Sequence, residues 1–325
     1  MTAPLFGLQY PIWQAPTGSI AGPELAAAVA AAGGMGAMAL TWASPEQAAA
    51  QIRQVRAQTA RPFQVNFALA FPPHALTAAL EAGAPVVTFS WGDPTSYLAQ
   101  VRAAGAKAGV QVTNVEGARR FAQSGVDFLI CQGVEAGGHV QSNQPLFELL
   151  PRIVAAAGGL PVIAAGGIAE GQSIARALQL GAAGAMLGTR FVATLESRAH
   201  PDYKACLVAA QAEATALTVC FDGDWPYAAH RVLRNTTLEQ WEAAGSPPVG
   251  VRPGEGDVVG RNADGDPILR YADTAPRRGF TGEPSAMCLY AGTGCPDIHD
   301  IPSAADLLSR LQQETERSLQ EQRNG

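Results

Sequence analysis

Two residue pairs, Gly166-Gly167 and Gly188-Thr189, could hold a phosphate. The first closes the apolar run PVIAA (161–165), and the second follows AML (185–187). Glycines let a ligand approach the backbone, whose N–H groups can converge on an anion, and a threonine hydroxyl adds a donor. Taken singly, such glycines could equally serve only to turn the chain. The stretch CQGVEAGGH (131–139) sets His139 behind two glycines. An imidazole there could meet a planar ligand and exchange a proton near neutral pH, or be a loop histidine held for structure. Glu135 reads as a group that caps or orients this loop. Asn66 is an amide inside the apolar run FQVNFAL (63–69), and a buried amide needs partners, in the core or on a ligand. Trp42 and Trp91 offer aromatic walls, or simple packing.

The elements that must position these residues repeat one pattern. An Ala-rich amphipathic helix, a glycine and a short apolar run recur at 30–40, 81–90, 123–132, 156–167 and 179–188. The glycine suits a left-handed helix cap, and the apolar run suits a strand buried on both faces. Such alternation implies right-handed crossovers and a parallel sheet. Strands are expected near 11–15, 36–40, 63–69, 85–90, 108–113, 127–131, 161–165 and 184–188. Eight such units fit an α/β fold of the (β/α)8 TIM-barrel type, with a doubly wound open sheet as the alternative. Both glycine pairs then fall after strands seven and eight, where barrels often bind phosphate, and that pairing favours the phosphate reading. The connection after strand six, 132–144, is longer than its neighbours and starts where barrel enzymes build their sites.

The repeat stops after Thr194. Three parts are expected: a barrel over 1–194, a smaller, mainly helical lid over 195–289, and a C-terminal segment over 290–325 that packs back on the barrel. Helical pieces are expected at 203–215 and 238–244, and a final helix over about 303–322 behind a Ser303-x-x-Asp306 cap signal. Of the 325 residues, 47% are hydrophobic and only 15% charged, with a net charge of -6. No basic stripe suits nucleic acid, and no run is apolar enough to span a membrane. The first basic residue is Arg53, so a secretory leader is not expected. Five cysteines without CxxC spacing disfavour disulfides and zinc and suit a reduced, cytoplasmic setting.

QAPTG (14–18), Asn66, FSWGDP (89–94), QGVEAGGH (132–139), AAGGI (164–168) and LGTRF (187–191) together resemble the nitronate monooxygenase family. The resemblance extends to Arg234-Asn235 and to LYAGTG (289–294). It implies an FMN enzyme acting on a small-molecule nitronate with O2, giving a carbonyl compound and nitrite. By the same resemblance Gly166, Gly167, Leu187, Gly188 and Thr189 would cradle the FMN phosphate. Ala15, Pro16, Asn66, Gln132, Gly137 and Gly138 would lie along the flavin and its ribityl chain, and His139 matches the catalytic histidine.

Three departures touch the substrate side: Thr17 where many relatives have Met, Val140-Gln141 where a glycine commonly follows the histidine by two, and Ser90 in place of a His. The nearest rival keeps FMN but takes electrons from NAD(P)H, as a quinone or enoyl-thioester reductase. Gln111, at a position where quinone reductases carry Lys, disfavours the quinone version. A dehydrogenase using Cys131 as nucleophile would need a glycine-rich Cys-Thr loop that is not here. A non-catalytic flavin carrier would have no use for His139.

Overall fold

The computed structural model describes residues 5–223 and 225–324. Eight parallel strands follow one another around a barrel. They are β1 (Ile12–Gln14), β2 (Gly36–Ala39), β3 (Phe63–Ala68), β4 (Val86–Ser90), β5 (Lys107–Val112), β6 (Phe128–Gln132), β7 (Val162–Ala165) and β8 (Gly184–Leu187). Each lies within a residue of its expected bounds. Their apolar runs bury two faces at once. Trp13, Phe128, Ile163 and Met186 fill the barrel interior, while Leu25, Phe67, Leu149 and Ile174 pack between strands and helices.

β8 pairs in parallel with β1. The seam between β1 and β2 is thinner, a single bridge between Trp13 and Met35. Gln14 reinforces it: its Oε1 accepts from the Ala37 N–H at 2.9 Å, and its Nε2 donates to the Ala37 carbonyl at 3.0 Å. With β1 bonded on both sides the sheet has no free edge, which excludes the open doubly wound alternative.

After β8, residues 195–289, expected to form a mainly helical lid, are mixed in secondary structure. They hold helices Pro201–Val208 and Thr236–Ala243, and five short strands. The helix expected over 203–215 stops at Val208, and Thr215–Thr218 is strand β9, paired antiparallel with β10 (His230–Leu233). The β-branched Thr215 and Thr218 suit a strand, in which Ala216 and Thr218 are buried and Leu217 is exposed, and the Pro/Gly-rich run 246–282 cannot sustain a helix. The third strand of the β9–β10 sheet is Gly138–His139, from the loop after β6. That loop is thereby stitched to the lid.

The final helix, Ala304–Asn324, opens as its cap signal implies: Ser303 Oγ accepts from the Asp306 N–H at 3.1 Å. Leu307, Leu308 and Leu311 bury it in the barrel's outer core. All five cysteines are free. Among the described residues, no helix is long and apolar enough to cross a membrane.

Candidate active site

The strand ends, the loop after β6 and the lid enclose a cavity of about 620 Å³, within the range of small-molecule sites. It receives Ala15 and Pro16 from the end of β1, Asn66 from β3 and Gln132 from β6. Gly137, Gly138 and His139 line it from the β6 loop, and Gly166, Gly167, Gly188 and Thr189 from the ends of β7 and β8. Leu187 is not brought to its wall. That side chain is fully buried in the layer between strands and helices, and its carbonyl accepts from the Ala15 N–H at 2.9 Å. Strand alternation explains this: the residue before the glycine turns its side chain outward.

Gly166 and Gly167 sit at φ +124° and +66°, where a side chain is strained. A Cβ on Gly167 would stand 2.8 Å from Glu135 Cβ and 2.9 Å from Thr293 Oγ1. Thr189 Oγ1 accepts from the Gly292 N–H at 3.0 Å, which leaves its own hydrogen to donate. The LYAGTG segment thus closes over both glycine pairs, and its Gly292 backbone lies where a Cβ on Gly137 would go. In the sequence LYAGTG carries a signal in its alternating glycines, but no task follows from them until the fold places the segment here.

Around His139 the loop is tied on every side. Gln132 Nε2 donates to the His139 carbonyl at 3.3 Å, and Gln132 Oε1 accepts from the Gln141 N–H at 2.9 Å. Gln141 Oε1 in turn accepts from the Trp91 N–H at 3.2 Å and from Gln111 Nε2 at 2.6 Å. The departure at Gln141 therefore links the loop to β4 and β5. Asn66 Nδ2 lies 3.2 Å from both the Thr88 carbonyl and Thr88 Oγ1. Cys131 is buried in the core, and burial pushes its thiol up to about 12, which removes it as a nucleophile.

His139 stacks on Trp225 at 4.4 Å between centroids, with His230 at 5.4 Å and Tyr290 at 5.7 Å. Its Nε2 is buried without a hydrogen-bond partner in the protein. Burial, and then the neighbouring His230, push the imidazole down to about 3. His230 is fully buried and fixed as one neutral tautomer: Nδ1 faces the Ala228 carbonyl at 2.9 Å, while Nε2 accepts from the Phe221 N–H at 3.2 Å. Burial pushes it down as well. His230 and Trp225 carry no sequence signal, since nothing in their spacing ties them to a barrel loop, and Tyr290 belongs to the LYAGTG segment without a role assigned to its ring.

Two expectations follow. Glu135 accepts from the Leu146 N–H through both oxygens, at 3.1 and 3.0 Å, capping helix Leu146–Ala156. Glu135→Ala is expected to lower the unfolding free energy by about 1–2 kcal/mol, read by urea titration; an unchanged midpoint removes the capping role. In the protein freed of any cofactor, both histidines take up protons more readily unfolded than folded. The stabilisation from His139 is complete above the unfolded value of 6.5 and is lost as pH falls toward about 3, and that from His230 is lost in the same direction. His139→Gln should therefore flatten the acid decline of Tm below pH 6.5; a decline as steep as the parent's contradicts the shift.

The sequence profile of the nitronate monooxygenase family matches residues 1–77 and 71–314. A nitronate monooxygenase of Pseudomonas aeruginosa is 32% identical, with 95% of this chain and 97% of that protein covered. Among solved structures, FabK from Thermotoga maritima is similar at a TM-score of 0.82 and 29% identity, covering 98% of this chain and 97% of that one. A nitroalkane oxidase from Streptomyces ansochromogenes is similar at a TM-score of 0.79 and 29% identity, covering 97% and 98%.

Proposed function

Because the chain belongs to the nitronate monooxygenase family, we propose that its cavity holds FMN and that it oxidises alkyl nitronates with O2 to a carbonyl compound and nitrite. One observation carries this reading: His139 and both glycine pairs line the same cavity, though they come from three different strand ends.

The residues fit the group. Gly166 and Gly167 form a cradle that a Cβ would fill, and with Gly188 and Thr189 they would hold the phosphate. Ala15, Pro16, Asn66, Gln132, Gly137 and Gly138 would lie along the ribityl chain and the ring. When bound, FMN supplies the electron acceptor that no side chain here can be. Residues 195–289 act as the lid that excludes water from the reacting centre, with Trp225 resting on His139.

His139 Nε2 is the atom we assign to take a proton from a neutral nitroalkane. With its imidazole held near 3, that transfer is uphill, because a nitroalkane C–H is a far weaker acid than such an imidazolium. A preformed nitronate needs no base and is the better substrate. The test is aerobic turnover of propyl-2-nitronate by the yellow protein. Oxygen uptake with nitrite release is expected; no uptake, alongside rapid NADH-dependent quinone reduction, would transfer the assignment to a reductase.

A further inference from the structure

We propose that the substrate compartment selects nitronates bearing an aromatic or bulky apolar group, and discriminates against those bearing a second negative charge such as a carboxylate. The inference rests on the nitronate-oxidising reading above and adds the class of substrate.

Four aromatic rings form an unbroken chain outward from His139. Trp225, stacked on the imidazole, meets Trp91 at 4.7 Å and Phe71 at 5.1 Å, and Phe71 meets Trp42 at 5.5 Å. All four line the cavity, yet they come from the ends of β2, β3 and β4 and from the lid. None is a core residue: Trp42 is 60% exposed and the other three are half-buried. Trp91 is held at φ +59°, a left-handed conformation that costs a bulky L-residue about 1–2 kcal/mol. Such cost persists where surroundings over-determine it, and here the Gln141 side-chain oxygen Oε1 accepts from the Trp91 N–H. Rings converging from four segments onto a half-open space present flat apolar faces that an aryl or bulky alkyl group would cover.

Charge points the same way. Among the described residues that line the cavity, none is a lysine or an arginine, and the one carboxylic side chain is that of Asp273. The nitronate already brings one negative charge to a neutral histidine. A carboxylate on the same substrate would be desolvated with no lysine or arginine among those lining residues to receive it.

The experiment compares kcat/KM of the FMN-loaded protein for three nitronates: that of nitroethane, that of 2-phenylnitroethane and that of 3-nitropropionate. The phenyl compound is expected to exceed ethyl nitronate by at least about tenfold, and the carboxylate compound to fall below it by at least about tenfold. Nitrobenzene, which cannot form a nitronate, should inhibit competitively. In Trp225→Ala the phenyl-to-ethyl ratio should collapse toward one, and Phe71→Arg should raise the carboxylate-to-ethyl ratio. If ethyl nitronate is oxidised while the phenyl preference is absent, or the carboxylate compound does as well, the substrate class is wrong and the functional reading stands. If all three nitronates are inert, both fall.

Discussion

Gly167→Val is expected to give a folded protein that purifies without yellow colour. At φ +66° a β-branched residue is strained by about 1–2 kcal/mol, and its side chain would press on Glu135 and Thr293. Those two residues belong to the β6 loop and to LYAGTG, the segments that close over the phosphate cradle. Moving either would open the cradle as well as fill it. A loss of FMN affinity by about 10²–10³-fold is expected, read from the absorbance of the purified protein and by titrating FMN into the cofactor-free form. Gly188→Ala is the control. Its Cβ would meet Ala15 and Thr17 side chains at an ordinary 3.5 Å, and its φ of -98° suits any residue. It should retain far more cofactor than Gly167→Val. Equal retention in both variants would mean that the phosphate lies elsewhere.

His139→Ala has the second large effect, and its pattern matters more than its size. Removing a base lowers only steps that need one. For neutral nitroalkanes kcat/KM should fall by about 10²–10⁴-fold, and for preformed nitronates by about tenfold or less. Because the imidazole is held near 3, its free-base form is fully populated at neutral pH, so the parent should show no acid limb at the ordinary histidine value of 6.5. An equal fall on both substrates would make His139 a binding group rather than a base. Full activity on the nitroalkane would remove it from the chemistry.

The barrel was legible because its signals are local and periodic. Most strands are short apolar runs behind a helix-capping glycine, and β1 and β3, which lack that glycine, are still apolar runs that fall where expected. The glycine pairs and His139 were legible because barrel geometry places strand-end loops around one mouth. Leu187 was carried in by resemblance along the chain, and the alternation of β8 takes its side chain away from the cavity. What could not be read is contact between distant segments. The helix expected over 203–215 breaks because Thr215–Thr218 finds a partner in His230–Leu233. The other edge of His230–Leu233 pairs with Gly138–His139 and brings His230 opposite His139. Trp225 sits in FDGDWPY (221–227), a stretch with no periodicity, and only the fold of the lid sets it on the imidazole. Gln14 is likewise an unremarkable amide in the sequence, although it closes the barrel seam.

The most direct measurement is anaerobic mixing of the yellow protein with propyl-2-nitronate, followed by its flavin absorbance. Bleaching within the time of turnover, with no bleaching by NADH or NADPH alone, is the expected result. Rapid bleaching by a reduced nicotinamide, with the nitronate inert, would contradict the account and identify a reductase.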